Sequence, residues 1–283
     1  MVTRDEGLEN RLTDWLNKQG YPLEMLVARL FQQKGFRVQQ SEFYADQDTG
    51  ESREIDVVAS KSALVQGITI RVTLAIECKL SKDKPWILFT SQSIRLSEKA
   101  RIVQRAASGL GSNLLRILLD YKDYKAISSL NIFDIPTFPC YSLTQAFTTS
   151  QDVCYKAATS VAKAAYAKAT EFDYKEPHSG IINLNFAHIV LPILVVDGKL
   201  FDCHLEENSQ ISVFEINFGV LIWRNPLVKS PHTIIHVVSV PALGGFCDET
   251  AKSIDFILQL CKTDLEQQIA KIRERPPPTT RFF

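Results

Sequence analysis

Glu77-Cys78-Lys79 sets a carboxylate and an ammonium two residues apart, at the end of the run Ile70-Arg71-Val72-Thr73-Leu74-Ala75-Ile76. That run is rich in β-branched residues and reads as a strand. Side chains alternate faces along a strand, so Leu74, Ile76 and Cys78 point one way and Thr73, Ala75, Glu77 and Lys79 the other. The acid and the base emerge together, about 7 Å apart along the chain. The preceding strand repeats the arrangement, with Ile55, Val57 and Ala59 on one face and Glu54, Asp56 and Val58 on the other. If the two strands pair as a hairpin, Asp56 and Glu77 converge, and two carboxylates at one point repel each other unless a cation lies between them. Oxygen-rich sites of this kind suit Mg2+ or Mn2+. Glu54 is the alternative ligand on the Asp56 face. The plain structural reading is a solvated ion pair of Glu77 and Lys79 at a strand end, with Asp56 exposed nearby.

A third carboxylate comes from a helix. Glu24 stands three residues before Val27 and seven before Phe31, on the face that carries the apolar residues. An inward carboxylate is costly unless something pairs with it, and a metal or its hydration shell would offset that cost.

The elements that must position these groups are legible from periodicity and punctuation. Residues 4–19 and 23–34 read as helices, with Gly20 and Gly35 as stops and Pro22 suited to a first helical position. Strands are predicted at 36–43, 53–60 and 68–80, with Gly67 in the last connection. Beyond them, 86–89 reads as a short strand, and 98–107 and 114–119 as helices. Pro136 and Pro139 mark a loop. An Ala-rich helix is predicted over 145–170. Strands follow at 188–196, 200–204, 211–223 and 233–240, the first two joined by Asp197-Gly198, a pair suited to a tight hairpin. A closing amphipathic helix spans 248–272, and Pro276 to Pro278 lead into a tail ending in Arg281, Phe282 and Phe283.

Bulk properties narrow the class. The 283 residues carry 32 basic and 32 acidic side chains. That balance argues against a protein that coats nucleic acid through many unspecific phosphate contacts, but not against a local basic groove. Such a groove has a candidate in residues 79–105, where Lys79, Lys82, Lys84, Arg95, Lys99, Arg101 and Arg105 face only Asp83 and Glu98. Trp86 and Phe89 in that stretch could stack on bases, core packing being the plainer role. The longest aliphatic stretch, 189–196, is far short of the ~20 residues of a membrane span, so no membrane contact is expected. The polar start and six scattered cysteines, without zinc-like spacing, predict no leader and reduced thiols in the cytoplasm.

A helix with an inward Glu, a strand with Asp and a strand ending in Glu-x-Lys together resemble the PD-(D/E)XK nuclease superfamily. The matching residues are Glu24, Asp56 within Arg-Glu-Ile-Asp-Val-Val, and Glu77-Cys78-Lys79. No proline precedes Asp56, where the family name places one. The bare acid-x-Lys pattern is weak, since it also occurs at Asp120, Asp123, Asp173 and Asp197. Only at Glu77 does it end an apolar strand with another acid-bearing strand just upstream.

The resemblance implies an α/β, restriction-endonuclease-like core: a mixed central sheet flanked by helices, with an extended C-terminal sheet. The whole chain, 1–283, would be a single nuclease domain. Within it lie N-terminal helices and catalytic strands (1–80), an insertion or lid (81–144), a long helix with further strands and a closing helix (145–273), and a tail (274–283). Catalysis falls to Asp56, Glu77, Lys79 and Glu24. Asp56, Glu77 and Glu24 would hold Mg2+, Mn2+ being acceptable. Lys79 would orient or help activate the attacking water. Lys82, Lys84, Arg95, Lys99, Arg101 and Arg105 would bind nucleic acid. The reaction implied is DNA phosphodiester hydrolysis leaving 5′-phosphate and 3′-hydroxyl ends, in restriction or phage defence, by a homodimer or with a partner subunit. RNA or branched DNA as substrate, and a catalytically idle binding module of the same fold, are the alternatives.

The remaining candidates have structural expectations. Cys78 points away from the acids, and His178, His188, His204, His232 and His236 lack metal-like spacing. Lys163 reads as a solvated lysine or, less simply, as a phosphate contact from the long helix.

Overall fold

Two strands with almost no polar residues at their centres must be covered on both faces. In the computed structural model, which describes residues 6–91, 96–148, 153–171, 173, 185–224 and 233–274, these strands lie side by side at the middle of one large mixed sheet. The chain enters through α1 (Glu6–Leu16) and α2 (Tyr21–Gln33), then runs through β1 (Arg37–Ala45), β2 (Ser52–Val65), β3 (Ile68–Leu80) and β4 (Trp86–Thr90). Next come α3 (Glu98–Val103), β5 (Ala106–Ala107), α4 (Gly109–Leu119), α5 (Tyr124–Ser128), β6 (Cys140–Gln145) and α6 (Val153–Thr170). The last part holds β7 (Phe186–Asp197), β8 (Leu200–Leu205), β9 (Ile211–Ile216), β10 (Phe218–Trp223), β11 (Thr233–Ser239), α7 (Val240–Lys262) and α8 (Glu266–Ala270).

The strand order is β1-β2-β3-β7-β11-β10-β6-β4-β8-β9, with β5 added beside β7. β1, β2 and β3 form an antiparallel meander. Val65 pairs with Ile68 across Gln66 and Gly67, both at positive φ (49° and 72°), the conformation of a tight two-residue hairpin loop. β3 then pairs in parallel with β7 from Thr69↔Phe186 to Leu80↔Asp197. α2, α4, α7 and α8 bury their apolar faces against one side of the sheet, together with Val57, Leu74, Ile76 and Leu191. Against the other side lies α6, whose small side chains, including Ala157, Ala158, Ala162 and Ala165, fit closely over Ala75, Val190 and Leu194.

Several expectations change. The stretch read as an insertion or lid contributes β4 and β6 to the sheet and α4 to one of its faces. The helix expected over 98–107 stops at Val103, and the chain pairs with β7 through β5 instead. Asp197-Gly198 is not a hairpin: β8 pairs with β4 and β9, never with β7. The chain leaves β7 beside the β3 exit, with the Ser81 amide donating to Asp197 O (2.9 Å) and the Trp86 amide to Lys199 O (2.9 Å). Gly198 is needed for this close crossing, because a Cβ there would stand 2.4 Å from the Ser81 carbonyl oxygen. The single strand expected over 211–223 divides at Asn217 into β9 and β10, which take different neighbours. The Ala-rich helix starts at Val153, Gln145 being the end of β6. The closing helix starts earlier, at Val240, with a proline in its first turn, and breaks after Lys262. Pro276 to Pro278 and the tail lie outside the described residues.

β7 carries Pro192 mid-strand, a position that a central strand ordinarily forbids because proline has no amide to donate. The neighbour changes there. β5 pairs with Ile189 and Val190, and β11 takes over from Ile193. Glycine also sets the approach of α4 to β7, since a Cβ on Gly111 would lie 2.1 Å from the His188 carbonyl oxygen. Replacing Gly111 by Ala is expected to lower unfolding stability by about 1–3 kcal/mol, as forced overpacking does. Urea denaturation of the variant beside the wild-type protein measures it, and an unchanged midpoint would contradict this account of the contact.

Candidate active site

The β2–β3 ladder ends with Val57 opposite Ile76, so Asp56 and Glu77 are the residues immediately beyond its last pair. Asp56 does not simply alternate with its neighbours. Ile55 lies in the cluster under α6 and Val57 in the opposite one, so the strict alternation expected for 55, 57 and 59 slips at this residue. β1 is irregular at the same level, where Ser41 sits at φ 53° between the pairs Gln40↔Val57 and Glu42↔Ile55. Instead of a strand carbonyl, the Asp56 carboxylate takes the next amide of β3: the Cys78 amide donates to Asp56 Oδ2 at 2.7 Å. This bond ties the acid of one strand to the Glu-x-Lys segment of the other.

Glu77 is buried (7% exposed) and faces α6. Lys79 Nζ lies 2.6 Å from its Oε1, and Ser160 on α6 donates to its Oε2 at 3.2 Å. The Tyr44 hydroxyl in turn donates to the Ser160 carbonyl oxygen at 3.3 Å. Ser160 and Tyr44 have no local motif that marks them; they meet Glu77 only because α6 packs across β1 and β3.

Electrostatics tie the four expected residues together. Burial raises the pKa of Glu77, with Asp56 adding to the rise and Lys79 opposing it. Burial likewise raises Asp56, against the Cys78 amide and Lys79, which favour its charged form. Glu24 is half-buried and raised first by burial, then by the nearby Asp56 and Glu54. Burial disfavours the charge on Lys79, but Glu77 and Asp56 outweigh it and hold the ammonium above its usual value. The structure therefore brings Glu24, Asp56, Glu77 and Lys79 to one end of the meander, with exposed Glu54 at its margin. Cys78 is buried on the other face, its thiol raised well above the usual range by burial.

An oxygen-only set of carboxylates whose proton affinities are all raised is suited to a hard divalent cation, which relieves their repulsion. Against that, both Glu77 oxygens already have partners, and among the described residues no group of three or more His, Cys, Asp or Glu side chains converges closely enough to hold a metal ion.

A second charged cluster braces the β1–β2 turn. Asp46, fully buried, receives Lys163 Nζ at 3.1 Å on both oxygens and Arg53 Nε at 2.7 Å, while Asp48 also contacts Lys163 at 2.7 Å. Burial works against the Asp46 charge, but the Asp48 amide, Lys163 and Arg53 outweigh it and lower its pKa. Lys163 is thus neither solvated nor a free phosphate contact; it anchors α6 to the β1–β2 turn.

The basic stretch after the site splits up. Lys82 and Lys84 are exposed and, with Lys18 and Asn17 from the α1–α2 turn, line a groove of about 490 Å³ that also includes Leu80. Lys99 is exposed on α3. Arg101 is partly covered and lies 3.4 Å from Asp134. Arg105 is buried and out of reach of any surface ligand. Arg95 lies outside the described residues. Trp86 is fully buried, its indole N–H donating to Ser81 Oγ at 3.2 Å, so it is core and no stacking platform. Among the histidines, His188 is buried with Thr73 Oγ1 at 2.7 Å, and His204 lies 2.8 Å from Asp202. His178 and His232 lie outside the described residues. A groove of about 1220 Å³ is lined by Phe89, Tyr141, His204 and Glu206 among others, and shares no residue with the carboxylates of the candidate site. Compared with family models, with curated proteins and with solved structures, the chain finds no match.

A raised carboxyl group destabilises the fold once it is ionised. Below its ordinary pKa the group is protonated in both states and this penalty is absent; it develops as pH rises through the folded value. Glu24→Gln is therefore expected to raise the melting temperature at pH 8 and to leave it unchanged at pH 3.5. A gain of equal size at both values would show that charge is not the cause.

Proposed function

We propose that the chain is a metal-dependent nuclease of the PD-(D/E)XK kind, built on a restriction-endonuclease-like core and acting on DNA. The observation that carries this reading is the junction of β2 and β3, where the Asp56 carboxylate holds the Cys78 amide while Glu77 and Lys79 flank that residue as an ion pair. Asp56 and Glu77 are the residues to hold Mg2+ or Mn2+, with Glu24 completing the set. When bound, such an ion lowers the pKa of water and stabilises charge on the scissile phosphate. Lys79, charged and aimed by Glu77, orients the attacking water and donates hydrogen bonds toward the phosphate oxygens. Ser160 keeps Glu77 from turning away from Lys79. Lys18, Lys82 and Lys84 supply a local positive field for the phosphate backbone. Cutting both strands of a duplex with one site per chain calls for a second copy or a partner subunit.

A second reading, a nucleic-acid-binding or partner-binding module without turnover, is favoured by the engagement of both Glu77 oxygens by Lys79 and Ser160. RNA and branched DNA are the substrate alternatives to duplex DNA.

The test is cleavage of plasmid, single-stranded and branched DNA, and of RNA, with Mg2+, Mn2+ or EDTA. Metal-dependent cutting is expected, reduced at least ~10²-fold by Lys79→Ala, in the range of a lost proton-transfer or orienting group, and abolished by Asp56→Asn. Mg2+ is expected to raise the melting temperature of wild-type protein and not of the Asp56→Asn variant, because an ion bound only by the native state stabilises it. Cleavage that persists in EDTA or in both variants overturns the site. Absence of both turnover and a metal-induced shift supports the binding module.

A further inference from the structure

β9 closes one end of the strand order, and among the described residues it pairs with β8 alone. Which of its backbone groups β8 uses follows from the turn between them. The Glu206 amide donates to Gln210 O at 2.9 Å, so these two residues form a hydrogen-bonded pair. Along an antiparallel ladder such pairs alternate with pairs that exchange no bond. In the register Leu205↔Ile211, His204↔Ser212, Cys203↔Val213 and Asp202↔Phe214, it is therefore Ser212, Phe214 and Ile216 that bond to β8. The other side of β8 agrees, because the Trp86 amide of β4 takes the carbonyl of Lys199, an odd-numbered residue. The amides and carbonyls of Ile211, Val213 and Glu215 thus point outward, along an edge that no described strand occupies.

A free edge is a template for another strand, and natural sheets guard it with lysine, proline or a bulge. β9 has none of these: its sequence is ISVFEI and its register with β8 is unbroken. Its one charge, Glu215, is held by Lys199 at 3.0 Å. Ile211 is 72% exposed and Val213 52%, and exposed Leu205 stands beside Ile211 on the same face.

We propose that β9 is a dimer interface, pairing antiparallel with β9 of a second copy of this chain about a two-fold axis through Val213. The strand's own pattern selects this occupant. Residues that point outward must meet residues that point outward, so the axis falls on a residue and not between two. With the axis at Val213, Val213 meets Val213 and Ile211 meets Glu215 of the second copy, in both directions. An axis elsewhere on the strand leaves outward groups at one end unpaired, and one at Glu215 sets two carboxylates face to face. At Val213 no like charges are opposed, as an isologous contact requires. Leu205, Ile211 and Val213 of the two copies then form one apolar strip. On the other face, Phe214, which packs edge-on against His204, comes diagonally opposite Phe214 of the second copy, within reach of aromatic contact. The inference rests on this strand alone and is independent of the nuclease reading.

Sedimentation equilibrium of the full chain across the micromolar range tests the association. The mass is expected to rise with concentration toward twice the 31.9 kDa of one chain. Val213→Lys, which sets two ammonium groups face to face at the axis, is expected to keep the mass of one chain. A wild-type protein that stays monomeric throughout, or a Val213→Lys variant that still dimerises, overturns the proposal. Cross-linking tests the register. Val213→Cys is made in a Cys203→Ser background, because Cys203 is the neighbour of Val213 on β8. Oxidation with diamide is expected to link its copies, the paired Cα atoms being about 5.5 Å apart, within disulfide reach. Ile211→Cys in the same background is expected not to link, its copies standing about 13 Å apart along the strands. Linking of both variants, or of neither, overturns the pairing about Val213.

Discussion

The parallel ladder between β3 and β7 is the interaction on which the rest of the molecule depends. It runs twelve pairs without a break, from Thr69↔Phe186 to Leu80↔Asp197. It joins the N-terminal meander, which carries Asp56 and Glu77 and packs against the helix that carries Glu24, to a strand more than a hundred residues later. Such pairing has no local nucleus and must be stabilised by burial on both faces. That explains the composition of β7, whose residues are all buried up to Val196. It explains too the thin profile of α6, whose alanines let it lie close over the ladder and bring Ser160 within reach of Glu77.

The candidate site sits at the end of this ladder, where the apolar core stops and the chains diverge. Placing acids there is unfavourable for stability: burial and mutual repulsion raise Glu24, Asp56 and Glu77 together. Two of them are partly compensated by different devices, the Cys78 amide for Asp56, Lys79 and Ser160 for Glu77. The neighbouring Asp46 shows the contrast. Two cations and a backbone amide satisfy it so fully that its pKa falls despite complete burial. One cluster is saturated and braces the β1–β2 turn against α6; the other is left in need of positive charge, the condition expected of a site that works on a ligand.

The same contrast separates the two halves of the basic stretch that follows. Lys82 and Lys84 remain at the surface beside the β3 exit, whereas Arg105 is carried into the sheet by β5. Net charge along a segment says nothing about this division, because it depends on which residues the pairing of β5 with β7 draws inward.

By itself the sequence determined several local elements and the shared location of Glu24, Asp56, Glu77 and Lys79 at one end of the meander. β-branched runs, Gly67 in the connection before it and helical spacing located β3 to the residue and α2 within two. Strand alternation placed Glu77 and Lys79 on one face, opposite Cys78, as the structure has them. These features are legible because they rest on periods of two or 3.6 residues and on backbone preferences of single residue types. Only the tertiary structure decided which strands become neighbours, since hydrogen bonds between strands carry no residue-specific signal. Hence Asp197-Gly198, a good hairpin pair in isolation, crosses between distant strands, and residues 81–144 enter the sheet instead of covering it. Hence, too, Ser160, Tyr44 and the slip of alternation at Asp56 could not be foreseen: each follows from α6 and β1 packing on the meander, contacts that join residues far apart in the chain.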